Sequence, residues 1–193
     1  MKNTKKRFID TLQEIADHVI KNSEELNLSE INKIIKKIIE IHNKGNRVFI
    51  YGAGRSGFMG RAFAQRLMHL GIKSCYISDA VTYRYTINDL LIIISGSGET
   101  TSSVAIAQKA YNIGGTIFLI TGTPSSSIGN LSDLIIKIEG KSKDKAISQK
   151  TLAPYTSLFD ICTLSVLDSI GAVLMDLLNV SEEDIDKRHA SIE

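Results

Sequence analysis

Hydrophobic positions recur at helical spacing over residues 4–21, where Phe8, Leu12, Ile15, Ala16, Val19 and Ile20 share one face. The same period returns over 30–43 through Ile31, Ile34, Ile35, Ile38 and Ile39, with Ser29 placed as the N-cap. Two amphipathic helices are therefore predicted before any strand. The pattern then changes: Arg47 to Tyr51 is a short β-type run that ends in a glycine-rich turn, followed by a helix over about 57–70 closed by Gly71. Further strands are predicted at 74–77, 90–94, 116–120 and 134–138, with a helix over about 99–112 ending near Gly114 and Gly115. Strands that are apolar throughout and separated by helices indicate a parallel sheet covered on both faces. The expected architecture is one α/β domain over 1–193: N-terminal helices to residue 46, a sheet core over 47–139 and C-terminal helices from 154. Residues 139–151 are polar and rich in lysine, and are expected to be a mobile loop.

The stretch 154–178 reads as a helix of another kind. Between Leu158 and Leu178 its only charges are Asp160, Asp168 and Asp176. Steps of eight residues place these about 80° apart, so they form no single polar face. A helix apolar nearly all round must be buried, and the expectation is that it contributes to a subunit interface.

The carboxyl ends of parallel strands are where ligands bind in such sheets. Here they carry Gly52-Ala53-Gly54-Arg55-Ser56-Gly57, Ser95-Gly96-Ser97-Gly98-Glu99-Thr100 and Thr121-Gly122-Thr123-Pro124-Ser125-Ser126-Ser127. Glycine lets the backbone approach a ligand, serine and threonine add short donors, and a following helix turns free N–H groups toward an anion. Such turns can hold a phosphate without a lysine. Residues 52–57 also match G-x-G-x-x-G, and Asp79 follows the second strand, so the dinucleotide fingerprint is met literally. A dinucleotide site, however, needs no serine-rich second turn after the third strand, and two leading helices are atypical of it.

Composition narrows the classes. The net charge of +2 gives no footprint for nucleic acid or an anionic membrane surface, and residues 1–46 show no convincing helix-turn-helix. No run of 18 uncharged apolar residues occurs, so no membrane span is expected, and no signal peptide is seen. Cys75 and Cys162 lack metal-ligand spacing and read as reduced, buried thiols of a cytoplasmic protein. No metal or cofactor is expected. His69 reads as a packed or interface histidine, His18 and His42 as exposed.

GAGRSG at 52–57, RAFAQRLMHLG at 61–71, ISGSGET at 94–100 and the ending KRHASIE at 187–193 together resemble the 6-phospho-3-hexuloisomerases of the sugar isomerase (SIS) superfamily. The resemblance runs from about residue 47 to the C-terminus. It implies a three-layer, flavodoxin-like sandwich with a five-stranded parallel sheet, and homodimers or homotetramers with sites near subunit boundaries. It also implies conversion of 3-hexulose 6-phosphate to fructose 6-phosphate, through an enediolate, in the ribulose monophosphate route. By position, Ser56, Ser95, Ser97 and Thr100 would contact the phosphate with the N–H groups of Gly96 and Gly98, while Gly54, Arg55 and Asp79 would lie against the substrate. The family's base matches Asp160, after Phe159, and its proton-shuttling histidine matches His189. The chain departs from the family pattern with Asp160 for Glu, Asp79 for Glu, Thr82-Tyr83 for Thr-Pro, Pro154-Tyr155-Thr156-Ser157 for Pro-Met-Gly-Ser/Thr, and Ser191 for Asn. These departures surround the sugar and spare the phosphate turns. They leave open a sugar-phosphate-binding regulatory protein, or an isomerase of another ketose phosphate.

Overall fold

A computed structural model describes residues 2–140 and 150–192. In chain order its elements are α1 (Lys2–Glu25), α2 (Leu28–Asn43), β1 (Val48–Gly52), α3 (Arg55–His69), β2 (Ser74–Tyr76) and β3 (Leu90–Ile94). There follow α4 (Thr101–Ile113), β4 (Thr116–Thr121), a 3₁₀ turn at Gly129–Leu131, β5 (Leu134–Lys137), α5 (Ser157–Leu177) and α6 (Glu182–Arg188). The expected loop at 139–151 falls largely outside the described residues.

The helix starts differ from expectation for a local reason. Asn27, not Ser29, caps α2, because its side-chain oxygen accepts from the backbone N–H groups of Ser29 and Glu30. At the other end of α4, Gly114 takes the left-handed conformation, and its N–H returns to the carbonyls of Ala110 and Tyr111.

The five strands are parallel in the order β2-β1-β3-β4-β5. Alternation along them sends Val48, Ile50, Leu90, Ile92, Ile94, Phe118 and Ile120 to one face, where α2, α3 and α5 supply Ile34, Ile38, Phe63, Leu67, Leu167 and Ile170. Phe49, Leu91, Ile93, Ile117 and Leu119 point the other way, onto Ala107 and Ala110 of α4. Fully burying one such side chain contributes about 1.5–3 kcal/mol, so every strand is anchored from both sides. The link from β2 to β3 contains no helix, and Tyr85 fills part of that face with its ring edge-on to Phe49 at 5.1 Å.

By length and composition α5 could cross a membrane, but its apolar surface is used inside the fold, against α1, α2 and α3. Leu158, Phe159, Val166, Leu167, Ile170 and Leu174 are buried, whereas Val173 and Leu177 stay exposed. The three aspartates of this helix have separate fates: Asp160 is buried, Asp168 pairs with Arg66 at the surface, and Asp176 is exposed. Both cysteines are free thiols. Cys162 is buried, and its pKa is pushed up to about 11 by that burial. Cys75 is only half-buried, which corrects the expectation of two buried thiols. His18 and His42 are half-buried rather than exposed, because His18 Nε2 reaches the Glu139 carbonyl at 3.1 Å and His42 lies in the last turn of α2, beside buried Ile41.

Candidate active site

The strand order decides which turns meet. From β1 the chain first moves outward to β2 and later returns to β3 on the other side, so β1 and β3 are neighbours with Gly52 in register with Ile94. Their carboxyl ends form the crevice of a topological switch point. A cavity of about 350 Å³ opens there, lined by Ala53, Gly54, Arg55 and Ser56 from the first turn and by Gly96, Ser97 and Thr100 from the second. Gly122, Gly140, Tyr155, Thr156 and Phe159 complete the wall.

Three helices begin at this cavity, and none of them has a side-chain cap: α3 starts after Gly54, α4 after Thr100 and α5 after Thr156. By contrast, α2 and α6 lie elsewhere and are capped by the side chains of Asn27 and Ser181. Helix starts expose N–H groups and the positive end of the peptide dipoles. The starts of α3 and α4 turn such groups toward the cavity, while the first turn of α5 already carries the carboxylate of Asp160.

The turns are held in shape by their surroundings. Tyr76, at the end of β2, places its phenol against the carbonyl of Gly52 and receives the Gly52 N–H at 3.4 Å. The Arg61 guanidinium lies 4.1 Å over the Tyr76 ring and is paired in turn with Asp79. In the second turn, Gly98 has φ 67, and a side chain there would collide with the Ser126 hydroxyl. The Gly98 N–H donates to the Ser95 carbonyl and, at 3.2 Å, to its hydroxyl, and neither residue lines the cavity. The third turn is a brace: the Thr121 hydroxyl donates to the Gly96 carbonyl at 3.3 Å, and the Ser127 N–H donates to Glu99 Oε1 at 2.7 Å. Hydrogen bonds from Ser127 hold the Glu99 carboxyl below its usual pKa.

Asp160 lies behind the wall, 1% exposed. Its Oδ2 accepts from Thr156 Oγ1 at 2.8 Å and from Arg55 Nε at 3.0 Å, and its Oδ1 accepts from Ser56 Oγ at 3.2 Å. All three donors line the cavity, and Asp160 itself does not. Thr156 holds φ 64, a left-handed conformation that β-branched residues rarely adopt.

The structure thus gathers Gly54, Arg55, Ser56, Gly96, Ser97 and Thr100 around the cavity, with Asp160 one layer deeper. Ser95 and Gly98 are buried supports of the second turn. Asp79 is spent on Arg61 and reaches the site only through the Tyr76 ring. His189 stacks on buried His69, ring centroids 4.8 Å apart, while Arg188 donates to the His69 carbonyl at 3.0 Å. His69 ends the 15-residue helix whose first residue, Arg55, lines the cavity. At 1.5 Å per residue the C-terminal tail therefore sits roughly 20 Å from the cavity of its own chain. Tyr155 and Thr156, two of the departures from the family pattern, stand in the wall because the long helix begins there. Gly122 of the third turn stands there because its N–H donates to the Gly96 carbonyl, and Gly140, which the sequence patterns left out, because it lies against Phe159.

An open parallel sheet with a cavity at its switch point, uncapped helix starts around it and a carboxylate behind it defines the class as an α/β protein with its candidate site at the strand ends. The SIS domain family model matches residues 40–164, and the chain belongs to that family. A protein of Methanocaldococcus jannaschii named 3-hexulose-6-phosphate isomerase is 39% identical over 85% of this chain and 84% of its own length. A Bacillus subtilis protein of the same name is 35% identical over 93% of this chain and 96% of its own. A crystal structure from Methanococcus jannaschii, for which that molecular function was inferred, superposes with a TM-score of 0.79 at 35% identity, covering 94% of this chain and 98% of the other.

Proposed function

We propose that this chain is an isomerase that converts 3-hexulose 6-phosphate to fructose 6-phosphate. The observation that carries the reading is the convergence of three uncapped helix starts on one cavity with a buried carboxylate one hydroxyl away. The relatives named for this activity support it over most of the chain. The phosphate sits against the first turns of α3 and α4, where Ser56, Ser97 and Thr100 add hydroxyl donors. The sugar then extends toward Tyr155, Thr156 and Phe159 at the start of α5. Moving the carbonyl by one carbon requires a base that takes a proton from C2 and returns it at C3, and Asp160 is that base. Its shorter side chain, where the family has glutamate, matches its place one layer behind the wall. His189, far from its own cavity, serves the site of another copy in a homodimer or homotetramer.

A second reading draws on one observation: every near donor around Asp160 is already bonded to it. A carboxylate so engaged suits a protein that binds the sugar phosphate without turning it over. One assay separates the two, following fructose 6-phosphate formed from 3-hexulose 6-phosphate generated in situ. The isomerase reading expects turnover that falls by about 10²–10⁴-fold in Asp160→Asn, the usual worth of a positioned base. A wild-type protein that binds sugar phosphate in a thermal-shift test yet shows no turnover would establish the binding reading instead.

A further inference from the structure

A base must come within hydrogen-bond reach of the proton it takes, directly or through one intervening group. Asp160 is 1% exposed and does not line the cavity. Two neutral hydroxyls bridge the gap, Ser56 on Oδ1 and Thr156 on Oδ2. They differ in what else surrounds them. Ser56 lies in the uncapped first turn of α3, where an anion would draw its hydroxyl away. Thr156 lies outside the two glycine-serine turns and makes the shorter bond, 2.8 Å against 3.2 Å.

Thr156 is also the residue whose backbone has no local justification. It holds φ 64, and its hydroxyl makes no capping bond to the helix that it starts. Strain of this kind persists where surrounding structure enforces it, and it clusters at functional sites. Here the left-handed turn brings a side chain that lines the cavity onto Asp160.

We propose that Thr156 is a catalytic hydroxyl through which Asp160 exchanges protons with the substrate, an inference that rests on Asp160 being the base. In the first half of the reaction the C2–H bond breaks and its proton bonds to Thr156 Oγ1. The hydroxyl proton of Thr156 passes at the same time to Asp160 Oδ2. The electron pair of the C2–H bond becomes the C2–C3 double bond, and the carbonyl π pair moves onto O3, giving the enediolate. In the second half Asp160 returns its proton to Thr156, and Thr156 delivers one to C3. The proton of the C2 hydroxyl moves to O3 as C2 becomes the carbonyl, so both side chains finish as they began.

The test compares Thr156→Val, Thr156→Ser and Asp160→Asn in the fructose 6-phosphate assay, with the oligomer as purified. Valine keeps the β-branched shape and removes the hydroxyl, so kcat is expected to fall at least 100-fold while KM stays within about threefold. Serine restores the hydroxyl and should return kcat to within about tenfold of wild type. With substrate deuterated at C2, a change from H2O to D2O should lower the wild-type kcat further, because the carbon-bound proton and the exchangeable hydroxyl proton of Thr156 move in one step. If Thr156→Val does not fold, Thr156→Gly removes the same hydroxyl and accepts φ 64 without strain. Near-wild-type kcat in the valine or glycine variant, with Asp160→Asn inactive, would overturn the relay and leave Asp160 acting directly. The same kcat in H2O and D2O for the C2-deuterated substrate would also overturn it, because no exchangeable proton would then move with the C2 proton, reducing Thr156 to a positioning role. An active Asp160→Asn enzyme is a different failure, because it removes Asp160 itself as the base.

Discussion

Replacing Tyr76 with phenylalanine isolates the contact that ties β2 to the first anion-receptive turn. The Tyr76 side chain is buried, and its ring lies 6.0 Å from that of Tyr51, tilted by 23°. Phenylalanine keeps this stack, the 4.1 Å approach of Arg61 and all of the buried ring, so no cavity opens. Only the hydroxyl is lost, and with it the donor to the Gly52 carbonyl and the acceptor for the Gly52 N–H. Leaving a buried backbone group without its partner costs about 1–3 kcal/mol. For a chain of this length each kcal/mol lowers the unfolding midpoint by about 2–4 °C, so a fall of roughly 2–12 °C is expected. Gly52 leads directly into Arg55 and Ser56, and a loosened turn should also raise KM for the sugar phosphate, about tenfold for each 1.4 kcal/mol of binding lost. Thermal unfolding and the fructose 6-phosphate assay measure the two effects on the same preparation. A midpoint within about 1 °C of wild type together with an unchanged KM would refute the assignment of Tyr76 as the support of this turn.

Ser97→Ala should weaken sugar-phosphate binding by about 10–150-fold, since a hydrogen bond to a charged acceptor is worth about 1.5–3 kcal/mol, and unchanged affinity by calorimetry would remove that hydroxyl from the site. For His189, mixed oligomers provide the check: His189→Ala and Asp160→Asn chains, each inactive alone, should regain activity when unfolded and refolded together. Activity that stays at the level of the separate variants would show that no site is completed between chains.

The repeating patterns along the chain were enough to place the five strands and the helices around them, because burial on both faces of a parallel sheet demands continuous apolar runs and burial on one face of a helix demands a 3.6-residue period. The glycine-serine turns were legible for a similar reason, since a backbone that approaches an anion restricts which residues can stand there. Local chemistry also identified Asp160 as a carboxylate near the start of an apolar helix. It could not show that this carboxylate lies behind the cavity wall, because that depth is set by the packing of α5 against α3. Nor could it separate Ser97, which lines the cavity, from Ser95 and Gly98, which brace the turn from beneath. Asp79 and His189 carry the same lesson over longer distances. One is taken by Arg61, and the other is held at the far end of α3, and both outcomes follow from which elements the strand order makes neighbours. Residue type and spacing are local properties, so they determined the elements and the chemistry available at their ends. Which of those ends meet, and at what depth, is a property of the closed core, and only the tertiary structure decided it.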